Sequence, residues 1–287
     1  MKLFRFGQTG QEHPGVLIGQ DEFRDLRAFG EDFDGQFLST GGIDRLRTWM
    51  KDNLGRCSLL QQGQFRFGPP VKNPSKIVCI GLNYSDHAKE TIAQVPPEPV
   101  IFFKSTTAIT GPNDPVQIPR NSSKTDWEVE LALVIGRKSS YVEPSQAMDH
   151  LAGYMLHNDY SERAFQLEHS GQWVKGKSCD SFAPIGPYLV PKEEVKDENN
   201  LRLWLSVNGK MMQDSNTHNL VYKIPFLISY VSQFMTLLPG DVISTGTPAG
   251  VGMGQKPDPI YLKAGDLVEL GIDGLGTARQ EMIGWTN

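Results

Sequence analysis

A chain of 287 residues with 39% hydrophobic and 21% charged side chains has the make-up of a globular protein, with room for one large domain or a large one plus a small appendage. Its formal net charge of −5 and the lack of any Lys/Arg-rich run argue against a nucleic-acid partner, and no apolar stretch reaches the length of a membrane span. Three widely spaced cysteines, Cys57, Cys79 and Cys179, form no zinc-binding pattern. With an N-terminus that lacks a signal peptide's apolar segment, they point to a reducing, cytoplasmic setting.

The glycines and prolines, 29 and 19, favour many short strands and turns over long helices. Lys2–Phe6 and Gly15–Ile18 read as short strands and Ile43–Asn53 as a short helix, so residues 1–70 make a small α+β unit. Gly68-Pro-Pro-Val-Lys-Asn-Pro74 resists regular structure and places a boundary there, with the larger, mostly β domain at 73–287. Lys76–Gly81 is a short buried strand. It runs into a polar stretch where Ser85 or Asp86 could cap a helical turn, leaving His87 and Glu90 three residues apart on one face. A Glu beside a His orients the imidazole and raises its basicity, as a general base requires; a surface His–Glu pair has the same spacing. The segment 83–95, bracketed by Gly81 and Pro96-Pro97, has little to bury and reads as a mobile lid. Val100–Phe103 is a strand ending in Lys104, and Gly111–Pro115 is a turn.

From Trp127 the residues alternate apolar and acidic and then become wholly apolar, the period of a strand that enters a core. Glu128 and Glu130 then share one face. Two neighbouring carboxylates in a partly dry site must protonate, find cationic partners or bind a hard divalent cation; a half-solvated strand with an acidic outer face gives the same pattern. Farther on, Ser145–Leu151 reads as a helix and Gly153–Asn158 as a strand ending at Asp159, a place for either a ligand group or a helix cap. Ser161–His169 reads as a helix capped by Ser161 and carrying Arg163 and Gln166. The glycines and prolines of Gly176–Pro187 suggest a shaped loop around Lys177. Leu201–Val207 is a strand closed by the type I′ signal Asn208-Gly209, and Pro225–Leu238 has the spacing of a core helix. Val242–Thr245 is a strand followed by the glycine-rich loop Gly246–Gly254. That loop matches neither the phosphate-binding nor the dinucleotide fingerprint, although its N–H groups could hold a carboxylate. Val268–Ile272 and Thr277–Ile283 pair through Asp273-Gly274. His13, His150, His157, His169 and His218 sit in no motif and read as structural or exposed.

Five blocks, in this order, resemble the fumarylacetoacetate hydrolase family: Gly81–Glu90, Trp127–Leu131, Asn158-Asp159 with Arg163 and Gln166, Gly176–Phe182, and Pro239–Pro248. The resemblance spans about residues 73–284. It implies an α+β, mostly β fold with a mixed, barrel-like β-roll, and one Mg²⁺ or Mn²⁺ held by Glu128, Glu130 and Asp159. It also implies a His87–Glu90 dyad on a mobile lid, Lys177 in the active site, Thr247 near the substrate carboxylate, and a homodimer. We assign Tyr84, Lys104, Arg163 and Gln166 as further substrate-binding residues on the same basis. Within the family, Gly10–Leu17, the Lys124-Thr-Asp-Trp127 block and Gly171–Lys177 are similar to the branch that hydrolyses 2,4-diketo-3-deoxy sugar acids of the L-fuconate or rhamnonate type.

Three converging carboxylates are untenable without a cation, and three oxygen ligands leave open positions for a 2-oxo acid and water. A metal there would act as a Lewis acid while C3–C4 of a 2,4-diketo acid breaks, with His87 activating water toward C4 and Lys177 holding the oxyanion. The products would be pyruvate and a hydroxy acid. A tautomerase/isomerase or a decarboxylase of a 2-oxo diacid would use the same metal without the water attack.

Overall fold

The computed structural model describes residues 1–86 and 96–286. Strands outweigh helices, in the mixed, mostly β arrangement expected from the glycine- and proline-rich sequence.

A six-stranded sheet forms the centre. Its order is Val190–Pro191, Leu151–Asn158, Val129–Ile135, Val242–Ser244, Ile77–Gly81 and Val100–Lys104. All pairs are antiparallel except Val242–Ser244 with Ile77–Gly81. Val129–Ile135 and Leu151–Asn158 are buried along their whole lengths, which is why both sequences turn continuously apolar after their polar ends. A second sheet of five strands runs Lys210–Asn216, Arg202–Val207, Leu267–Ile272, Gly276–Ile283 and Val116–Gln117. Its first hairpin turns at Asn208 and Gly209, both with positive φ (50° and 76°), as a type I′ turn requires. The core helix is shorter than its apolar period, Ile224–Phe234, with Pro225 in its first turn.

Lys2–Phe6, His13–Ile18, Glu22–Asp25, Leu59–Leu60 and Phe67–Gly68 form a separate five-stranded sheet. Its face carries an aromatic cluster around Phe4, with Phe23, Phe65 and Phe67, which Tyr188 joins from the larger part of the chain. Backbone bonds between Leu3 and Leu189 and the ion pair of Arg66 with Asp114 tie this sheet to the rest.

Three expected elements take another form. The acidic stretch is not one strand: Thr125–Asp126 pairs with Ser161–Glu162, and the long strand begins only at Val129. Three successive N–H groups go to side chains instead of a neighbouring strand. Trp127 donates to its neighbour Asp126, Glu128 to Asn158 Oδ1 and Val129 to Gln213 Oε1. Ser161 likewise caps no helix. It lies in that short strand pair, its hydroxyl donating to the Asp159 carbonyl, and a single wide turn follows at Ala164–Glu168. Around Lys177 there is one helical turn, Val174–Lys177, where a shaped loop was expected.

Candidate active site

The strand break and the adjoining strand end bring the three carboxylates together. Glu130 lies on Val129–Ile135 directly opposite His157, and Asp159 follows the end of the partner strand. Asp159 N donates to the Glu128 carbonyl, which fixes Glu128 over Asp159 across the gap. One oxygen from each of Glu128, Glu130 and Asp159 lies within 4.8 Å of the other two, and all three residues are buried.

Their partners differ. Glu128 receives Arg163 Nη2 at 2.7 Å on one oxygen and Lys177 Nζ at 2.7 Å on the other. Asp159 receives Lys177 at 2.9 Å and Lys104 at its second oxygen. Burial pushes the Asp159 carboxyl up, but the charges of Lys104 and Lys177 outweigh it and hold this acid well below its ordinary range. Among the described residues Glu130 accepts hydrogen bonds only from neutral donors, Ser244 Oγ at 2.5 Å and Gly246 N at 2.9 Å. Burial and the nearby charges of Asp159 and Glu128 therefore drive the Glu130 carboxyl far up. Burial also works against the charge of Lys177, but Asp159 and Glu128 raise it above its usual value, so it stays an ammonium. Such a donor set, oxygen only, anionic, buried and crowded, fits a hard divalent cation. Mg²⁺ and Mn²⁺ both match it.

A cavity of about 100 Å³ opens at Glu128 and Glu130. Arg163, Gln166, Lys177 and Thr247 line it on the polar side and Phe102, Leu167 and Trp173 on the apolar side. Phe102 and Trp173 pack edge to face, 5.3 Å between centroids, and Lys177 Nζ sits 5.0 Å from the Phe102 ring. A larger groove of about 460 Å³ borders the N-terminal sheet, but its charged side chains pair with one another, Arg5 with Asp32 and Glu12, and Arg66 with Glu12 and Asp114.

The structure thus gathers Glu128, Glu130, Asp159, Lys177, Arg163, Gln166 and Thr247 in one place. Lys104 stands behind Asp159 and off the cavity wall, its ammonium also donating to the Tyr160 carbonyl at 2.9 Å. Tyr84 is fully buried and off the wall too, and its hydroxyl has no hydrogen-bond partner among the described residues. His87 and Glu90, with most of the stretch expected as a lid, lie outside the described residues.

Four further residues organise the site. The Asp126 carboxylate accepts from Gly252 N, Met253 N and Arg163 Nε, fastening the glycine-rich loop to the cation that holds Glu128. The expected carboxylate for that loop is therefore one of the chain's own. Gln213 donates to Thr247 Oγ1 and accepts from Val129 N. Ser244 and the buried His157 stand beneath Glu130. Asp126 carried a sequence signal in its place beside the acidic alternation, and Ser244 lies within the block Pro239–Pro248; Gln213 and His157 act through contacts that no local period encodes.

Residues 76–283 match the fumarylacetoacetate (FAA) hydrolase C-terminal family. A Burkholderia cenocepacia protein whose name assigns it provisionally to the hydrolases is 51% identical over 280 residues, 98% of each chain. The fumarylacetoacetate hydrolase of psychrophilic Exiguobacterium antarcticum superimposes with a TM-score of 0.86 at 33% identity, over 99% of this chain and 100% of that one. The maleylpyruvate hydrolase of Sphingobium sp. SYK-6, solved in complex with manganese(II) and pyruvate, does so with a TM-score of 0.82 at 29% identity over the full length of both. With a matched family over most of its length, relatives of the same size and the expected mixed β architecture, this chain belongs to the fumarylacetoacetate hydrolase family.

Proposed function

We propose that this enzyme is a divalent-metal-dependent hydrolase that cleaves the C3–C4 bond of a 2,4-diketo acid and releases pyruvate. The observation that carries the reading is the convergence of three buried carboxylates within 4.8 Å at a cavity that also presents Lys177 and Arg163. A manganese(II)–pyruvate complex in a relative of the same fold and length supports it.

A divalent cation held by Glu128, Glu130 and Asp159 would supply Lewis acidity toward a 2-oxo acid. The remaining work falls to the chain's own groups. Arg163 holds Glu128 and is itself held by Asp126 and Gln166, so the carboxylate keeps one orientation. The Lys177 ammonium, buried at the cavity wall, is a fixed positive charge for the oxyanion that develops at C4. The Thr247 hydroxyl donates to the Val129 carbonyl and accepts from Gln213, so it meets a substrate carboxylate only by giving up its bond to Val129. His87 oriented by Glu90 is our proposed base for the attacking water.

Two observations bear on the acyl group. The sequence blocks shared with the sugar-acid branch favour a 2,4-diketo-3-deoxy sugar acid. The apolar wall of Phe102, Leu167 and Trp173 favours an acylpyruvate with a hydrocarbon tail. A panel of acylpyruvates, diketo-deoxy sugar acids and oxaloacetate, assayed with Mg²⁺, with Mn²⁺ and with EDTA, separates them. We expect pyruvate and one carboxylic acid from a single diketo class, only with metal. Turnover of oxaloacetate alone, by decarboxylation, would reject the hydrolase reading.

A further inference from the structure

His157 is fully buried, belongs to no motif and has no place in the chemistry above. Its register explains why it matters. His157 lies directly across from Glu130, and Ala132, two residues along the acidic strand, lies across from Ser244. Strand alternation therefore puts Glu130, His157 and Ser244 on one face. His157 Nδ1 is 2.7 Å from Ser244 Oγ, which is 2.5 Å from Glu130 Oε2.

Proton counting fixes the direction of this chain. A metal-binding Glu130 is an anion and only accepts. Ser244 has one hydroxyl proton, and it goes to Glu130. The contact between Ser244 Oγ and His157 must then be donated by His157 Nδ1–H, and a second ring proton would be a buried donor with nothing to bind, so the imidazole is the neutral Nδ1–H tautomer and Nε2 is a bare acceptor. Consistent with this, His157 Nε2 has no partner among the described residues. Ser244 and Gly246 N both bind Oε2, which leaves Oε1 without a hydrogen bond among the described residues and free to serve as a ligand. We propose that His157 is a positioning residue for the metal site: acting through Ser244, it locks the Glu130 carboxylate so that one oxygen is presented to the cation. This rests on the reading of Glu128, Glu130 and Asp159 as the metal ligands.

The test is Mn²⁺ affinity, measured by loss of the free Mn²⁺ signal in electron paramagnetic resonance, with thermal unfolding in EDTA as a check on folding. His157→Leu removes the donor at similar volume. Ser244→Ala breaks the chain one bond nearer the metal and is small enough to keep the fold if His157→Leu does not. Each should weaken Mn²⁺ binding about 10- to 100-fold, the usual cost of losing a group that orients a ligand. The double variant should be no weaker than the worse single one, since both cut the same chain. His157→Asn places an amide donor where Nδ1 was and should recover affinity to within a few-fold of wild type. Wild-type Mn²⁺ affinity in folded Ser244→Ala or His157→Leu, additive losses, or no recovery with Asn would each overturn the proposal. Wild-type protein that fails to bind Mn²⁺ at all would instead refute the metal site itself.

Discussion

Lys104 shows how burial changes the meaning of a residue. The family resemblance makes it a substrate-binding cation, yet the structure seals it behind Asp159 with 2% of its surface exposed. There we infer that it balances charge. Asp126, Glu128, Glu130 and Asp159 are four acids facing three cations, Lys104, Arg163 and Lys177, so one acid is left without a cationic partner among the described residues, and it is Glu130, whose carboxyl burial and the neighbouring acids drive far up. Lys104→Met should remove one of the two ammonium groups on Asp159 and leave a buried charge half-compensated. Breaking a buried pair in this way costs about 3–5 kcal/mol, and the lower end applies because Lys177 remains. Urea unfolding of the EDTA-treated protein should register that loss. An unchanged midpoint would show that Lys104 does not carry the charge of Asp159.

The helical turn Val174–Lys177 delivers Lys177 to the two carboxylates, and its placement depends on a close approach at Gly176. A Cβ there would stand 2.4 Å from the Glu162 carbonyl oxygen and 2.6 Å from Gln166 N, both backbone atoms that cannot step aside. Gly176→Ala should therefore push this turn off the segment that carries Arg163 and Gln166. Overpacking of this kind costs about 1–3 kcal/mol, and chemical denaturation of the variant should show it. Full stability together with full activity would mean that the turn has slack that the structure does not show. At this scale the sequence was readable where the signal is local. The alternation of Glu128 and Glu130, the Asp at a strand end and the hairpin at Asn208-Gly209 each follow from neighbours a few residues apart. The interrupted strand was not readable, because the acceptors that interrupt it, Asn158 and Gln213, come from 30 and 84 residues away. The support under Glu130 was hidden for the same reason, since Ser244 is 114 residues along the chain.

Across the whole molecule, two mixed, mostly antiparallel sheets meet around one acidic pocket. The central sheet supplies Glu130, Ser244 and His157, and the second sheet reaches in with Gln213. The N-terminal sheet puts no residue on the wall of this cavity; it is joined to the rest through Leu3, Arg66 and the aromatic cluster, and we propose that it is a separate unit ending near residue 70. No helix among the described residues is long and apolar enough to cross a membrane. The account comes down to one claim, that Glu130 helps to hold a cation without which the C–C bond is not broken. Pyruvate release and Mn²⁺ binding should be measured on the same preparations of wild type and Glu130→Gln, a change that keeps shape and removes charge. The account predicts that wild type binds Mn²⁺ and turns over only with it, and that Glu130→Gln loses both together by roughly 100-fold or more, beyond the cost of an orienting group alone. Turnover by wild type in EDTA, or Glu130→Gln binding Mn²⁺ and releasing pyruvate like wild type, would contradict it.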